Sequence, residues 1–116
     1  ADFSALIDDL CSSPWLGEVG GVLSGYLGDA GQAADVARLV GAVRRANPDA
    51  LYMCDPVIGD TGGLYVPEAV ATAIASELVP IADIATPNVH ELAWLSGAPI
   101  GDSASMTAAA ETLPAA

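Results

Sequence analysis

The sequence alternates short apolar runs with longer segments of helical periodicity, and this alternation constrains the fold more than any other feature. Runs of strand length lie at 20–25, 51–54 and 83–86, and each is too short for a helix. Helical spacing of apolar residues fills the intervals at 29–46 and 67–79. Strands that alternate with helices predict an α/β fold with a mainly parallel sheet flanked by helices.

Capping residues mark the predicted ends of the helices. A polar side chain favours the start of a helix, proline favours its first position and glycine favours its end. The predicted helices are 2–11, a helix capped by Asp29 that runs through Ala46, one from Pro67 to about Val79, 89–96 between Asn88 and Gly97, and a last helix capped by Ser103.

Composition excludes several classes of function. The 116 residues carry a net charge of −12, with three arginines and no lysine, which argues against a nucleic-acid or anionic-membrane partner. No apolar stretch reaches the length of a membrane span. Two cysteines are too few for a disulfide framework or a zinc site. We therefore expect one cytoplasmic α/β domain that binds neither nucleic acid nor membrane.

Polar side chains follow the predicted strands where each strand ends. The segments 24–26, 55–60 and 86–88 are polar or contain glycine. Because the carboxyl ends of parallel strands share one rim of a sheet, ligands bind there. The residues expected to lie close together on this rim are Asp55, Asp60, Thr86, Asn88 and Glu91.

Two aspartates are candidates for a metal site. Asp55 directly follows the apolar run 51–54, and Asp60 lies in the glycine-rich segment 59–63. Mg²⁺ is held by a few oxygens together with waters and substrate phosphates. The alternative for Asp55 is an ordinary turn at the end of a strand, since Asp-Pro is a common turn starter. The segment 59–63 has no phosphate-loop motif and is interpreted as a flap over the site.

Asn88 and Glu91 also have two readings. Asn at the N-cap with Glu three residues later is a variant of the capping box, which suffices to explain both residues. Alternatively, the amide and the carboxylate face a nucleotide, with Glu91 orienting metal-bound water near a helix N-terminus that favours phosphate.

Four motifs in chain order carry a family resemblance. They are Ser-Gly-Tyr-Leu-Gly at 24–28, Cys-Asp-Pro-Val-Ile-Gly-Asp at 54–60, Leu-Tyr-Val-Pro at 64–67 and Ala-Asp-Ile-Ala-Thr-Pro-Asn-Val-His-Glu-Leu at 82–92. Together they resemble the pyridoxal kinases of the ribokinase-like superfamily. The Asp-Pro-Val and Thr-Pro-Asn motifs are shared with hydroxymethylpyrimidine kinase. Ser-Gly-Tyr-Leu-Gly together with Cys-Asp-Pro-Val points more specifically to pyridoxal kinase.

The resemblance implies a homodimer that transfers the γ-phosphoryl group of ATP to the 5′-hydroxyl of pyridoxal, pyridoxine or pyridoxamine, with Mg²⁺ and K⁺. By resemblance, Asp55 lies near the metal and the phosphates, and Asp60 is associated with Mg²⁺. Thr86 matches a residue of the monovalent-cation and nucleotide region. Asn88 and Glu91 match the motif that organises Mg²⁺ and the ATP phosphates. The implied sites are Asp55, Thr86, Asn88 and Glu91 for the nucleotide, and Asp55, Asp60 and Glu91 for the metal.

Two features of the family have no match in this sequence. The Gly-x-Gly-Asp turn that carries the catalytic aspartate is absent, as is the amino-terminal part that contacts pyridoxal. We therefore expect no catalytic base within 1–116 and interpret the chain as the central portion of one ribokinase-like kinase domain. Two alternatives stay open: a kinase of hydroxymethylpyrimidine or another small molecule, and a non-catalytic α/β binding module.

Overall fold

A three-stranded parallel sheet forms the centre of the fold in the computed structural model, which describes residues 2–114. The strands are β1 (Gly21–Ser24), β2 (Leu51–Cys54), β3 (Gly59–Asp60), β4 (Gly63–Leu64) and β5 (Ile84–Ala85). The sheet has the order β1-β2-β5, and Cys54 of β2 lies opposite both Ser24 and Ala85. Strands β3 and β4 form a separate antiparallel hairpin. The predicted α/β fold with a parallel sheet is confirmed.

Helices and helical turns connect the strands. The helices are α1 (Asp2–Cys11), α2 (Gly31–Ala46), α3 (Glu68–Ala73), α4 (Val89–Ser96) and α5 (Ser103–Glu111). After α3 the chain continues through a wide helical turn, Ile74–Leu78, and a tight one, Val79–Ile81, so the helix predicted from Pro67 to Val79 is divided into three parts. None of the helices in the described part of the chain combines the length and apolarity needed to cross a bilayer.

One face of the sheet packs against the helices and forms the core. Tyr52 and Cys54 of β2 are 1% exposed, and they pack with Val40 of α2 and with Ile74 and Leu78 of the wide turn. The Ser24 hydroxyl and the Tyr52 hydroxyl form a buried hydrogen bond. Burial, as the largest cause, raises the pKa of Tyr52 far above its ordinary value, so the phenol stays protonated and able to donate.

The opposite face of the sheet is apolar and open in the described residues. Leu23, Leu51 and Ile84 are 70%, 56% and 43% exposed, and Met53 is half-buried between them. Leu23 lies opposite Met53, and Met53 lies opposite Ile84, so these side chains form one continuous patch. Parallel sheets are normally covered on both faces.

Three predicted cap positions are wrong by one residue. Ala30, not Asp29, precedes the first turn of α2 and contributes no side-chain cap, because the backbone at Ala30 is already helical. Pro67 occupies the N-cap of α3 with extended backbone, instead of the first helical position. Asp102, not Ser103, caps α5 and accepts a hydrogen bond from the amide of Ser105.

Asp83 joins the sheet to α2 just before β5. Its Oδ2 atom accepts hydrogen bonds from the backbone amide of Tyr52 at 2.8 Å and from the Arg44 guanidinium at 2.8 Å. Arg44 also donates to the carbonyl of Ile81 at 2.7 Å. The Tyr52 amide and then the Arg44 guanidinium lower the pKa of Asp83. The ionised carboxylate therefore stabilises the register between β2 and β5.

Replacing Asp83 by asparagine is expected to lower the urea midpoint of unfolding at pH 7. The Tyr52 amide and the Arg44 guanidinium would then donate to a neutral oxygen instead of a carboxylate. Since the folded pKa of Asp83 lies below its ordinary value of about 3.9, the stabilisation is complete above that pH and is lost as the pH falls through the folded value. The difference from the parent should therefore shrink below about pH 4. The control Asp9→Asn, on the exposed side of α1, should leave the midpoint unchanged. A difference that persists undiminished at about pH 2 contradicts this account.

Candidate active site

The ends of β2 and β5 place Asp55 and Thr86 side by side on the rim of the sheet. The parallel ladder extends one residue beyond the strands, with the Asp55 amide bonded to the Ser24 carbonyl at 2.9 Å and the Thr86 amide to the Cys54 carbonyl at 3.1 Å. Asp55 is half-buried and Thr86 is exposed. Asp55 therefore presents a carboxylate at the edge where ligands bind in parallel sheets.

Asn88 and Glu91 form a complete capping box at the start of α4. The Asn88 side chain accepts from the Glu91 amide at 2.8 Å, and the Glu91 side chain accepts from the Asn88 amide at 2.8 Å. The capping interpretation is confirmed. Gly97, with φ of +71°, ends the helix as predicted. Both side chains also make contacts that capping does not require.

The second carboxylate oxygen of Glu91 reaches across to the segment after β2. Glu91 Oε2 accepts from the amides of Ile58 at 2.8 Å and Gly59 at 3.3 Å, while the Asn88 Nδ2 donates to the Gly59 carbonyl at 2.9 Å. Glu91 is only 4% exposed. A buried carboxylate is tolerated only where hydrogen bonds compensate its lost hydration, and three backbone amides do so here.

The hairpin β3–β4 carries Asp60 over the start of α4. Gly63 has a φ of +96°, a conformation that favours glycine, and the Asp60 carboxylate accepts from the Gly62 amide at 2.9 Å. Asp60 and Glu91 line the same small pocket of about 60 Å³. The segment predicted as a flap is thus a short hairpin anchored at its base.

The pKa of Tyr65 responds to the negative charge of the candidate site. Its side chain is half-exposed just beyond the hairpin. Partial desolvation, followed by the negative charges of Glu91, Asp60 and Asp55, raises the pKa of Tyr65. The sequence position of Tyr65 predicts a packing role, with stacking on a ligand ring as the alternative.

The donor set suits Mg²⁺ held together with a phosphorylated ligand. Within residues 2–114, no three His, Cys, Asp or Glu side chains are grouped so as to hold a metal ion by themselves, so the predicted trio is not a preformed three-carboxylate site. Mg²⁺ commonly uses one or two carboxylates and completes its shell with waters and phosphates. Asp55 on the rim and Asp60 on the hairpin, neither of them fully buried, are carboxylates of the kind that Mg²⁺ uses.

Gly59 is the point of closest approach in the hairpin, and its replacement should be costly. A Cβ atom at Gly59 would lie 2.7 Å from the Gly63 carbonyl oxygen, so Gly59→Ala must shift backbone. We expect a loss of about 1–3 kcal/mol in the free energy of unfolding. Gly62→Ala is the control, because its Cβ would meet only the Asp60 carboxylate at 3.4 Å. Equal effects of the two substitutions on denaturant unfolding would contradict the hairpin geometry.

Comparison with known proteins identifies the family. The sequence matches the family described as phosphomethylpyrimidine kinase over residues 19–116. The chain belongs to this kinase family. The predicted resemblance to the pyridoxal kinases and the predicted ribokinase-like fold are confirmed by this match together with the relatives described below.

Relatives of the chain include the pyridoxal kinase PdxY of Deinococcus radiodurans, 45% identical over 109 residues, which cover 93% of this chain and 37% of the relative. The pyridoxal kinase PdxY of Rubrobacter xylanophilus is 40% identical over 111 residues, covering 95% of this chain and 38% of the relative. A solved pyridoxal kinase from Leishmania donovani, in complex with ADP and pyridoxamine, superposes with a TM-score of 0.88 at 36% identity. It covers 97% of this chain and 39% of that protein. The chain thus spans under two fifths of the length of these relatives.

The contacts that hold the β3–β4 hairpin could not be predicted from the sequence. The sequence pattern predicts that Asn88 and Glu91 either cap a helix or face a ligand, whereas the structure adds hydrogen bonds to Ile58 and Gly59. Gly59 was the available signal, because a glycine beside a predicted strand often marks a close approach of backbone. Asn88 and Glu91, which contact this backbone, lie more than 25 residues away in the chain. No local sequence pattern therefore reveals the contact.

Proposed function

We propose that the complete protein phosphorylates the 5′-hydroxyl of pyridoxal with ATP, forming pyridoxal 5′-phosphate in vitamin B6 salvage. The observation that carries the proposal is the 45% identity to a pyridoxal kinase across nearly the whole of this chain. The structural relative bound to ADP and pyridoxamine supports both a nucleotide and a B6 vitamer as ligands. Pyridoxine and pyridoxamine are proposed as further substrates.

We propose that the rim residues position the nucleotide and the metal. Asp55 and Asp60 would hold Mg²⁺, whose charge would stabilise the phosphates during transfer. Thr86 and Asn88 would face the nucleotide, with Thr86 near a K⁺ ion. Glu91 has three of its roughly four acceptor positions taken by backbone amides, which leaves one position on Oε1 for a metal-bound water. Positioning and charge stabilisation supply most of the catalysis in phosphoryl transfer.

We propose that residues 1–116 form the central portion of one ribokinase-like domain, with the substrate-binding part before it and the catalytic aspartate after it. The open apolar face formed by Leu23, Leu51, Met53 and Ile84 supports this proposal, because a parallel sheet is normally buried on both faces. The homodimer is a prediction that rests on the family resemblance, and the cytoplasmic location is a prediction that rests on the two isolated cysteines.

A substrate competition assay on the protein encoded by the complete reading frame tests the proposed activity. Phosphate transfer from Mg²⁺–ATP to pyridoxal should exceed transfer to hydroxymethylpyrimidine in kcat/KM. The second candidate is favoured by the description of the matching family as phosphomethylpyrimidine kinase, and a reversed preference would establish it. Absence of transfer to either compound would overturn the proposed function.

A further inference from the structure

We infer that Asn88 and Glu91 are positioning residues that set the place of the Asp60 carboxylate by clamping the β3–β4 hairpin to α4. The clamp is defined by the three hydrogen bonds of these two side chains to Ile58 and Gly59. The effect of the clamp on turnover deepens the proposed function and rests on it. The clamp itself stands on the structure alone.

The acceptor geometry of Glu91 favours the clamp over direct metal binding as its main task. Glu91 Oε2 serves two amides, and Oε1 serves a third. Bonds from N–H groups to a carboxylate are stronger than neutral ones. Drawing this carboxylate toward a metal ion would leave the amides of Ile58 and Gly59 unpaired in a region where Ile58 is fully buried, at a cost for each orphaned donor.

Asn88 reinforces the clamp through a group that cannot bind Mg²⁺. Its Oδ1 caps α4, while its Nδ2 donates to the Gly59 carbonyl at 2.9 Å. The same residue thus fixes the helix and the hairpin to each other. Asn88 and Glu91 together hold Gly59 by both its amide and its carbonyl.

The clamp bears directly on Asp60 because Asp60 follows Gly59 in the hairpin. The Gly59 backbone is fixed by Asn88 and Glu91, and the Asp60 carboxylate is then oriented by the Gly62 amide. A catalytic group must be held to within roughly 0.5 Å of its working position. Loosening the base of the hairpin would therefore displace Asp60 even though the Asp60 side chain itself is unchanged.

Hydrogen exchange in the metal-free complete protein tests the clamp. The probe is the Tyr65 amide, which donates to the Ile58 carbonyl and has no direct bond to Glu91. Glutamine keeps only one acceptor oxygen, which cannot serve the Asn88 amide on one side and the Ile58 and Gly59 amides on the other. Glu91→Gln should therefore speed exchange of the Tyr65 amide at least about tenfold, because the hairpin opens as a local unit. Asp60→Asn is the matched control and should exchange like the parent, since its amide oxygen still accepts from Gly62. Parent-like exchange of Tyr65 in Glu91→Gln would overturn the inference.

Asn88→Ser provides a second variant in case Glu91→Gln does not fold. Serine keeps the helix cap but is too short to reach the Gly59 carbonyl, so it weakens the clamp without removing a carboxylate. We expect exchange of Tyr65 to rise by roughly threefold to tenfold, within the range of a single lost hydrogen bond. An unchanged rate would contradict the clamp.

Kinetics then connect the clamp to Asp60. Glu91→Gln should lower kcat strongly in the parent background but by less than about threefold in an Asp60→Asn background, because coupled residues are not additive. The same attenuation is expected for Asn88→Ser. If Asn88→Ser lowered kcat by the same factor in the parent and in Asp60→Asn, Asn88 would not act through Asp60. If the parent transfers no phosphate, the proposed function fails while the exchange results still decide the clamp.

Discussion

Replacing Asp55 by asparagine is expected to lower kcat of the complete protein by about 10²–10³-fold, the range found when one stabilising group is removed from a charged transition state. The substitution removes a negative charge at the rim but retains the backbone bonds of residue 55 to Ser24 and Val57. The fold should therefore persist. The concentration of Mg²⁺ needed for half-maximal turnover should rise, because a proposed metal ligand loses its charge.

Steady-state kinetics across a Mg²⁺ titration measure this effect. Asp49→Asn serves as the control, since Asp49 is an exposed aspartate in the turn before β2 and lies at the opposite end of the strand from the rim. It should leave both kcat and the Mg²⁺ requirement unchanged. Identical kinetics of Asp55→Asn and the parent at every Mg²⁺ concentration would remove Asp55 from the proposed site.

Replacing Leu78 by alanine is expected to have the largest effect on stability among the changes considered. Leu78 is 1% exposed and lies in the wide turn Ile74–Leu78, where it belongs to the core beneath β2. Truncating such a side chain costs about 2–5 kcal/mol, because apolar contacts are lost and a cavity remains. Denaturant unfolding at constant pH measures the loss.

Glu77→Ala is the matched control for the Leu78 variant. Glu77 is the preceding residue in the same turn but is exposed, so its removal should change the free energy of unfolding by no more than about 0.5 kcal/mol. A loss below about 1 kcal/mol for Leu78→Ala would contradict the burial of this side chain.

The order of the elements could be predicted from sequence because it depends on local patterns. The run 51–54 was predicted with its observed bounds, and the Asn88 cap and Gly97 end of α4 follow from side-chain chemistry at single positions. The Asp29 prediction failed because a polar residue before a helix caps it only if its backbone is extended. At Ala30 the chain is already helical, which sequence spacing does not reveal.

The candidate site could be predicted in part for the same reason. Parallel strands bring their carboxyl ends together, so the neighbouring positions of Asp55 and Thr86 follow from topology. The contacts of Glu91 with Ile58 and Gly59 depend on how the hairpin folds back onto α4, and no local pattern encodes them. The sequence therefore located the acidic residues but not the hydrogen bonds that orient them.

The charge distribution bears on how a triphosphate would be held. Arg38 pairs with Asp8 and Asp35, and Arg44 pairs with Asp83, so both guanidinium groups are engaged with carboxylates of the chain. The third arginine, Arg45, lies in the last turn of α2, at the end of the helix away from the rim. With a net charge of −12, the proposed neutralisation of the phosphates therefore falls chiefly to Mg²⁺. Binding of ATP is therefore expected to depend strongly on the divalent ion.

Thermal unfolding of the complete protein with ATP and Mg²⁺, singly and together, tests the central claim most directly. A ligand at 100 times its Kd stabilises the folded state by about 2.7 kcal/mol. We predict a clear rise in Tm with ATP and Mg²⁺ together, a much smaller rise with either alone, and a reduced rise in Asp55→Asn. An unchanged Tm with both ligands present would contradict a magnesium–triphosphate site at this rim.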